Sequence, residues 1–133
     1  MKAGETPASG FAFPGEEWRP AIYCRDLREI ELTGYQVSNL GRVANSNRLV
    51  ATHRNPQGLV MACFGRYPNG KQRQLPVGRV VKVSFDGPPP SPGLAVFYRD
   101  GDHTNLRPDN LGWGRHVRGV HPGGSHWFWE QYS

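Results

Sequence analysis

The sequence predicts a small mixed α+β domain, rich in short strands and with little helix. Three observations carry this. Gly (17) and Pro (12) make up about a fifth of the 133 residues, too many for a helical bundle. An Asn69-Gly70 pair sits between two extended runs, the strongest short-range hairpin signal. At Val77 the apolar period then changes from two to a helical one.

The elements follow in chain order. Residues 1–15 read as a disordered tail: Gly, Ala, Ser and Pro without periodicity, and too few apolar residues for a secretory signal. Order is expected from Glu16-Glu17-Trp18-Arg19-Pro20, where a large aromatic offers an anchor. Tyr35 to Ser38 and Arg42 to Asn45 are strand candidates joined by the turn Asn39-Leu40-Gly41. Residues 58–65 and 71–77 form the arms of the hairpin around Tyr67-Pro68-Asn69-Gly70. The second arm alternates Lys71, Arg73 and Leu75 against Gln72 and Gln74. Val77, Val80, Val81, Ser84 and Phe85 recur at helical spacing, which predicts a short helix over 77–85. Pro88 to Pro92 makes a stiff connector. Leu94 to Tyr98 reads as a strand closed by an Asp100-Gly101 turn, and residues 102–110 as a polar loop. Residues 113–120 are expected to form a second short helix bounded by Gly119 and Pro122. Residues 121–133 form an aromatic tail with Trp127, Phe128, Trp129 and Tyr132, expected to pack back on the core more than to stack on bases.

Charge is unevenly spread. The net is +5, with a pI near 9.6. All of the excess lies in residues 32–85, which carry Arg42, Arg48, Arg54, Arg66, Lys71, Arg73, Arg79 and Lys82 and no Asp or Glu. An unpaired buried charge costs several kcal/mol, so these cations are expected to face water or a polyanion. The lack of acids favours a phosphate-binding surface. Arg42 and the hairpin residues Arg66, Lys71 and Arg73 are the leading DNA contacts, with Gln72 and Gln74 as adenine readers on a ribbon that fits the major groove. No apolar run approaches the roughly 20 residues of a membrane-crossing helix, so no membrane partner is expected. Cys24 and Cys63 lie far apart without a framework spacing, which points to a reduced, cytoplasmic setting. His116, His121 and His126 recur every five residues, matching neither a helix face nor a zinc-finger spacing.

Two strings resemble a known family. Glu17 to Pro20, followed by Gly34-Tyr35-Gln36-Val37-Ser38-Asn39-Leu40-Gly41-Arg42-Val43, is similar to the NUMOD-type motif that accompanies HNH homing endonucleases. Residues 77–85, Val96 to Asp102 with Thr104-Asn105, and Asp109 to Trp113 are similar to the HNH domain that follows it. The resemblance implies a NUMOD-type segment over 16–56 and an HNH-like ββα-metal unit over 57–120. That fold hydrolyses phosphodiesters with one divalent ion, a histidine at a strand end serving as base.

Carried over position by position, the base slot is Tyr98, the adjoining metal-ligand slot is Phe97, and the helix ligand slot falls at or near Gly119. The histidine of the preceding helix is replaced by Gly78, while Asn110, the orienting residue, is retained. A phenol is a poor base at neutral pH, Phe has no lone pair for a metal, and Gly has no side chain. The expected function is therefore duplex DNA binding by a nuclease-dead HNH relative, a bacterial or phage-type regulator without metal or cofactor; a homodimer is left open. The alternative is a Mg²⁺-dependent nicking endonuclease with its site displaced to Asp102 and His103. A protein-interaction subunit using the aromatic tail is a third class, which explains the acid-free segment poorly.

Overall fold

The computed structural model describes residues 12–46, 48–121 and 124–132, and the side chains of residues 116–129 fall outside that description. The expectations for residues 1–11, for the side chains of His116, His121 and His126, and for the packing of Trp127 to Trp129 therefore lie outside the described residues.

Ten strands, one α-helix and one 3-10 helix (Pro108–Asn110) make up the regular structure of the described residues. Strands β1 (Trp18–Arg25), β2 (Arg28–Ser38), β3 (Val43–Asn45) and β4 (Arg48–Val50) form an antiparallel meander in that order. Strands β5 (Thr52–Arg54), β6 (Val60–Arg66) and β7 (Gln72–Pro76) form a second sheet, followed directly by α1 (Val77–Asp86). Strands β8 (Ala95–Tyr98), β9 (Leu111–His121) and β10 (Gly124–Gln131) form a third, in which β9 is central.

The local chemistry explains the joints. Gly41 closes the β2–β3 turn at φ +82°, and a Cβ there would lie 2.6 Å from Leu106 Cδ1, so this turn needs glycine for both conformation and space. Gly70 closes the β6–β7 hairpin at φ +86°, its N–H donating to Tyr67 O at 2.9 Å. The helix starts at Pro76 and stops at Gly87, whose N–H donates to Val83 O at 2.9 Å.

Helix α1 touches strands of all three sheets. Its Val77, Val80 and Val81 join Ala21, Leu32, Val37, Val43, Ala62, Phe64, Leu75, Leu106 and Leu111 in the main core. Val83 faces a smaller cluster of Cys24, Leu94 and Trp113. Ser84 Oγ accepts the Ile22 N–H at 2.9 Å, next to the register shift that follows Pro20 in β1. The division expected between residues 56 and 57 falls inside the β5–β6 hairpin, and the main core draws on both sides of it.

The second expected helix is not there. Residues 113–120 belong to β9, which pairs with β8 through Phe97–Gly112 and Tyr98–Leu111 and with β10 along its length. Gly112, Gly114 and Gly119 are poor helix formers, and the run alternates, with Leu111 and Trp113 in the cores and Gly112 and Gly114 on the other face. The expected aromatic tail is for the most part β10, the outer strand of the same sheet. No helix of the described residues is long and apolar enough to cross a membrane.

Candidate nucleic-acid interface

Strand β8 delivers Phe97 and Tyr98 to opposite faces of the third sheet, as strand parity requires. Phe97 is buried and lies on the two glycines of β9: a Cβ on Gly112 would meet its Cζ at 2.6 Å, and one on Gly114 its Cδ1 at 3.0 Å. Arg99 covers the ring, its guanidinium 5.4 Å from the centroid. Tyr98 points the other way, onto the first turn of α1. A Cβ on Gly78 would collide with the Tyr98 hydroxyl and lie 3.2 Å from its Cζ and 3.5 Å from Leu106 Cδ2. The phenol thus fills the space that a side chain at position 78 would need. Burial pushes the Tyr98 hydroxyl above its ordinary value, which leaves it protonated and unable to act as a base near neutrality.

The slots therefore do not fit a catalytic divalent ion. Phe97 offers no donor and faces away from Tyr98. Gly119 sits in a strand opposite His126, not on a helix. Among the described residues no three His, Cys, Asp or Glu side chains gather as a metal-binding group.

Asn110 is buried and organises the loop after β8. Its Oδ1 accepts the Asp100 N–H at 3.1 Å, and its Nδ2 donates to Asp100 Oδ1 at 3.0 Å and to Asn105 O at 2.9 Å. Asn105 Nδ2 donates to the other Asp100 oxygen at 2.8 Å, and this, with the Asp102 N–H and the Asn110 amide, holds the Asp100 carboxyl below its usual range. Asp102 accepts both the N–H (2.9 Å) and the hydroxyl (2.6 Å) of Thr104, and these bonds lower its carboxyl too. His103 leans on the Tyr98 ring, centroids 4.8 Å apart.

The basic segment divides in two. Arg48, Arg54, Arg66 and Lys71 are exposed. Arg42, Arg79 and Lys82, expected at the DNA, are instead engaged within the protein. Arg42 is gripped by Glu16, Nε to Oε2 at 2.9 Å, and its guanidinium lies 4.3 Å from the Phe13 ring and 5.5 Å from that of Trp18. Burial tends to raise the Glu16 carboxyl, but hydrogen bonds from Arg42, the Phe13 N–H and Ser38 hold it at about 2. Arg79 donates to Cys24 O and Leu94 O, both at 3.1 Å, and lies over the Trp113 ring. Lys82 is buried, with its Nζ 2.9 Å from Asp86 Oδ2.

The ribbon also differs from expectation. Gln72 and Gln74 share one face of β7, bonded to each other at 2.9 Å, and the register places Gln74 opposite Cys63. Arg73 shares parity with buried Leu75, and its Nε donates to Phe64 O at 2.9 Å, so it is half-buried on the core side of the ribbon. Two features escaped the sequence reading. The clearance that Gly78 gives Tyr98 was visible only as two separate losses. The bed beneath Phe97 did have a signal, the alternating Gly112 and Gly114 at the start of the expected helix over 113–120.

No protein-family model matches the sequence, and no curated protein matches it either. Among solved structures the chain is similar to one of DNA binding and cleavage by the HNH homing endonuclease I-HmuI, at 30% identity and a TM-score of 0.53. The match covers 73% of this chain and 51% of that one, so the chain spans about half the length of that relative. With strands predominating around one helix, the chain has a small α+β, HNH endonuclease-like fold.

Proposed function

We propose that this protein binds double-stranded DNA on an HNH endonuclease framework whose catalytic centre has been lost, and that it acts as a transcriptional or phage-type regulator. One observation carries the reading: the Tyr98 phenol packs onto the bare backbone of Gly78, the two positions at which the resemblance would put histidines. The exposed Arg48, Arg54, Arg66 and Lys71, with exposed Gln72 on the ribbon, supply the DNA-facing chemistry. The NUMOD-type reading of residues 16–56 fits this role, with Arg42 as an internal brace. The nicking alternative at Asp102 and His103 has less support, because among the described residues no three His, Cys, Asp or Glu side chains gather as a metal site.

The test pairs two assays. With Mg²⁺ or Mn²⁺, supercoiled plasmid stays intact, and Tyr98→His alone does not restore cleavage. Duplex affinity falls roughly 10²–10³-fold between 50 and 200 mM salt if about five phosphates are engaged. Metal-dependent nicking abolished by His103→Ala overturns the loss of catalysis, and a flat salt response overturns the DNA surface.

A further inference from the structure

The turn after β5 is tightly built. Gly58 N–H donates to Asn55 O at 2.8 Å, and Asn55 Oδ1 accepts the N–H groups of Gln57 (3.0 Å) and Leu59 (2.9 Å). Arg54 folds back over this turn, its Nε donating to Gly58 O at 3.0 Å. The loop after β8 reaches the same place from another sheet. A Cβ on Gly58 would lie 3.1 Å from Arg54 Nη2 and 3.7 Å from His103 Nδ1. Arg54 and His103 thus flank a glycine notch from separate elements, with Arg54 Nη2 already packed against the position a Cβ would take. The backbone bond fixes Arg54 and the Tyr98 ring supports His103. Asp102, the neighbouring acid, keeps its charge within electrostatic reach of Arg54, and its Oδ1 accepts both bonds from Thr104.

We infer that this notch seats one phosphodiester oxygen of the DNA backbone, held by Arg54 and His103. The inference rests on the DNA-binding reading and gives that surface a specific contact. Guanidinium suits phosphate geometry, and a guanidinium already fixed in place loses less freedom on binding. Glycine permits close approach of the phosphate to the backbone. Phosphate contacts set register on the duplex without reading sequence, so the seat fixes how the ribbon meets the groove. His103 becomes a phosphate ligand beside the filled centre, not a proton acceptor.

Gly58 and Gly93 both have positive φ, +86° and +81°, but only at Gly58 would an added methyl meet the two nitrogens; around Gly93 the space is open. Gly58→Ala and Gly93→Ala therefore carry similar backbone strain, and only the first fills the notch. Titration of a labelled duplex across a salt series gives, for Gly58→Ala and Arg54→Ala, an affinity loss of about tenfold and a log–log salt slope shallower by about 0.9. Gly93→Ala changes neither. Adding His103→Ala to Arg54→Ala costs less than about twofold more, because both side chains hold the same phosphate. Duplex binding by the wild type that is unchanged in Gly58→Ala, Arg54→Ala and His103→Ala overturns the seat alone, whereas a wild type that binds no duplex overturns the proposed function itself. If Arg54→Ala spares duplex binding but abolishes saturable binding of inorganic phosphate, the site belongs to the free ion and the DNA assignment falls.

Discussion

The contact between Tyr98 and Gly78 makes a quantitative prediction about stability. Gly78→Ala places a methyl where the Tyr98 hydroxyl sits, with Cζ at 3.2 Å. Overpacking of this kind costs about 1–3 kcal/mol. Replacing glycine inside a helix returns about 1 kcal/mol of propensity, so the net expectation is a loss of about 1 kcal/mol. Tyr98→Phe removes the colliding oxygen and leaves Cζ at a distance that a shift of a few tenths of an ångström relieves. In the Tyr98→Phe background the same Ala substitution is therefore neutral or stabilising, and the double-mutant cycle gives a coupling of about 1–2 kcal/mol. Urea denaturation of the four proteins measures it directly, and thermal melts report it at about 3–4 °C per kcal/mol for a chain of this size. Additivity within about 0.3 kcal/mol would show that the phenol does not rest on Gly78, and the account of the filled centre would fail with it.

Further outcomes follow from other contacts. Glu16→Gln destabilises the protein by about 2 kcal/mol at neutral pH, since it removes the charged partner of Arg42. Because the Glu16 carboxyl sits at about 2 in the folded chain against an ordinary 4.5, its contribution is complete above pH 4.5 and is lost as pH falls toward 2. Wild type should thus weaken across that window more steeply than Glu16→Gln, and parallel stability–pH curves would contradict this. Asn110→Ala strands three loop hydrogen bonds and costs about 2–3 kcal/mol by denaturation. It also moves the Asp100 carboxyl up toward its usual range, which a carboxyl-detected NMR titration reads.

Much of the framework was legible in the sequence, because it rests on local signals. Asn69-Gly70 marked the β6–β7 hairpin, Gly41 the β2–β3 turn, and the valine spacing the helix that runs Val77–Asp86. What stayed hidden depends on partners distant in sequence. Arg42 lies in an acid-free stretch, yet its acid is Glu16, upstream of that stretch, so counting charges by segment overstated the cations left for a polyanion. Arg79 finds its acceptors on Cys24 and Leu94, backbone carbonyls that no charge count includes. Residues 113–120 misled because glycine favours neither helix nor strand by local propensity, and β8 and β10 decide the matter by pairing with the run. At the site, the residues at positions 97, 98 and 78 were legible one at a time. How Tyr98 packs on Gly78 and Phe97 on β9 was not, since that is a matter of shape.

Because Val37 and Val43 from one side of residue 56 pack with Phe64, Val80 and Leu111 from the other, the two motif-bearing stretches are not interchangeable cassettes. A recombination event or an engineered fusion that grafts either stretch onto a foreign neighbour would bare its half of the shared interior to water. Transplants of this scaffold should therefore begin ahead of Phe13 and run on past Leu111, keeping the Glu16 brace and the common interior in one piece.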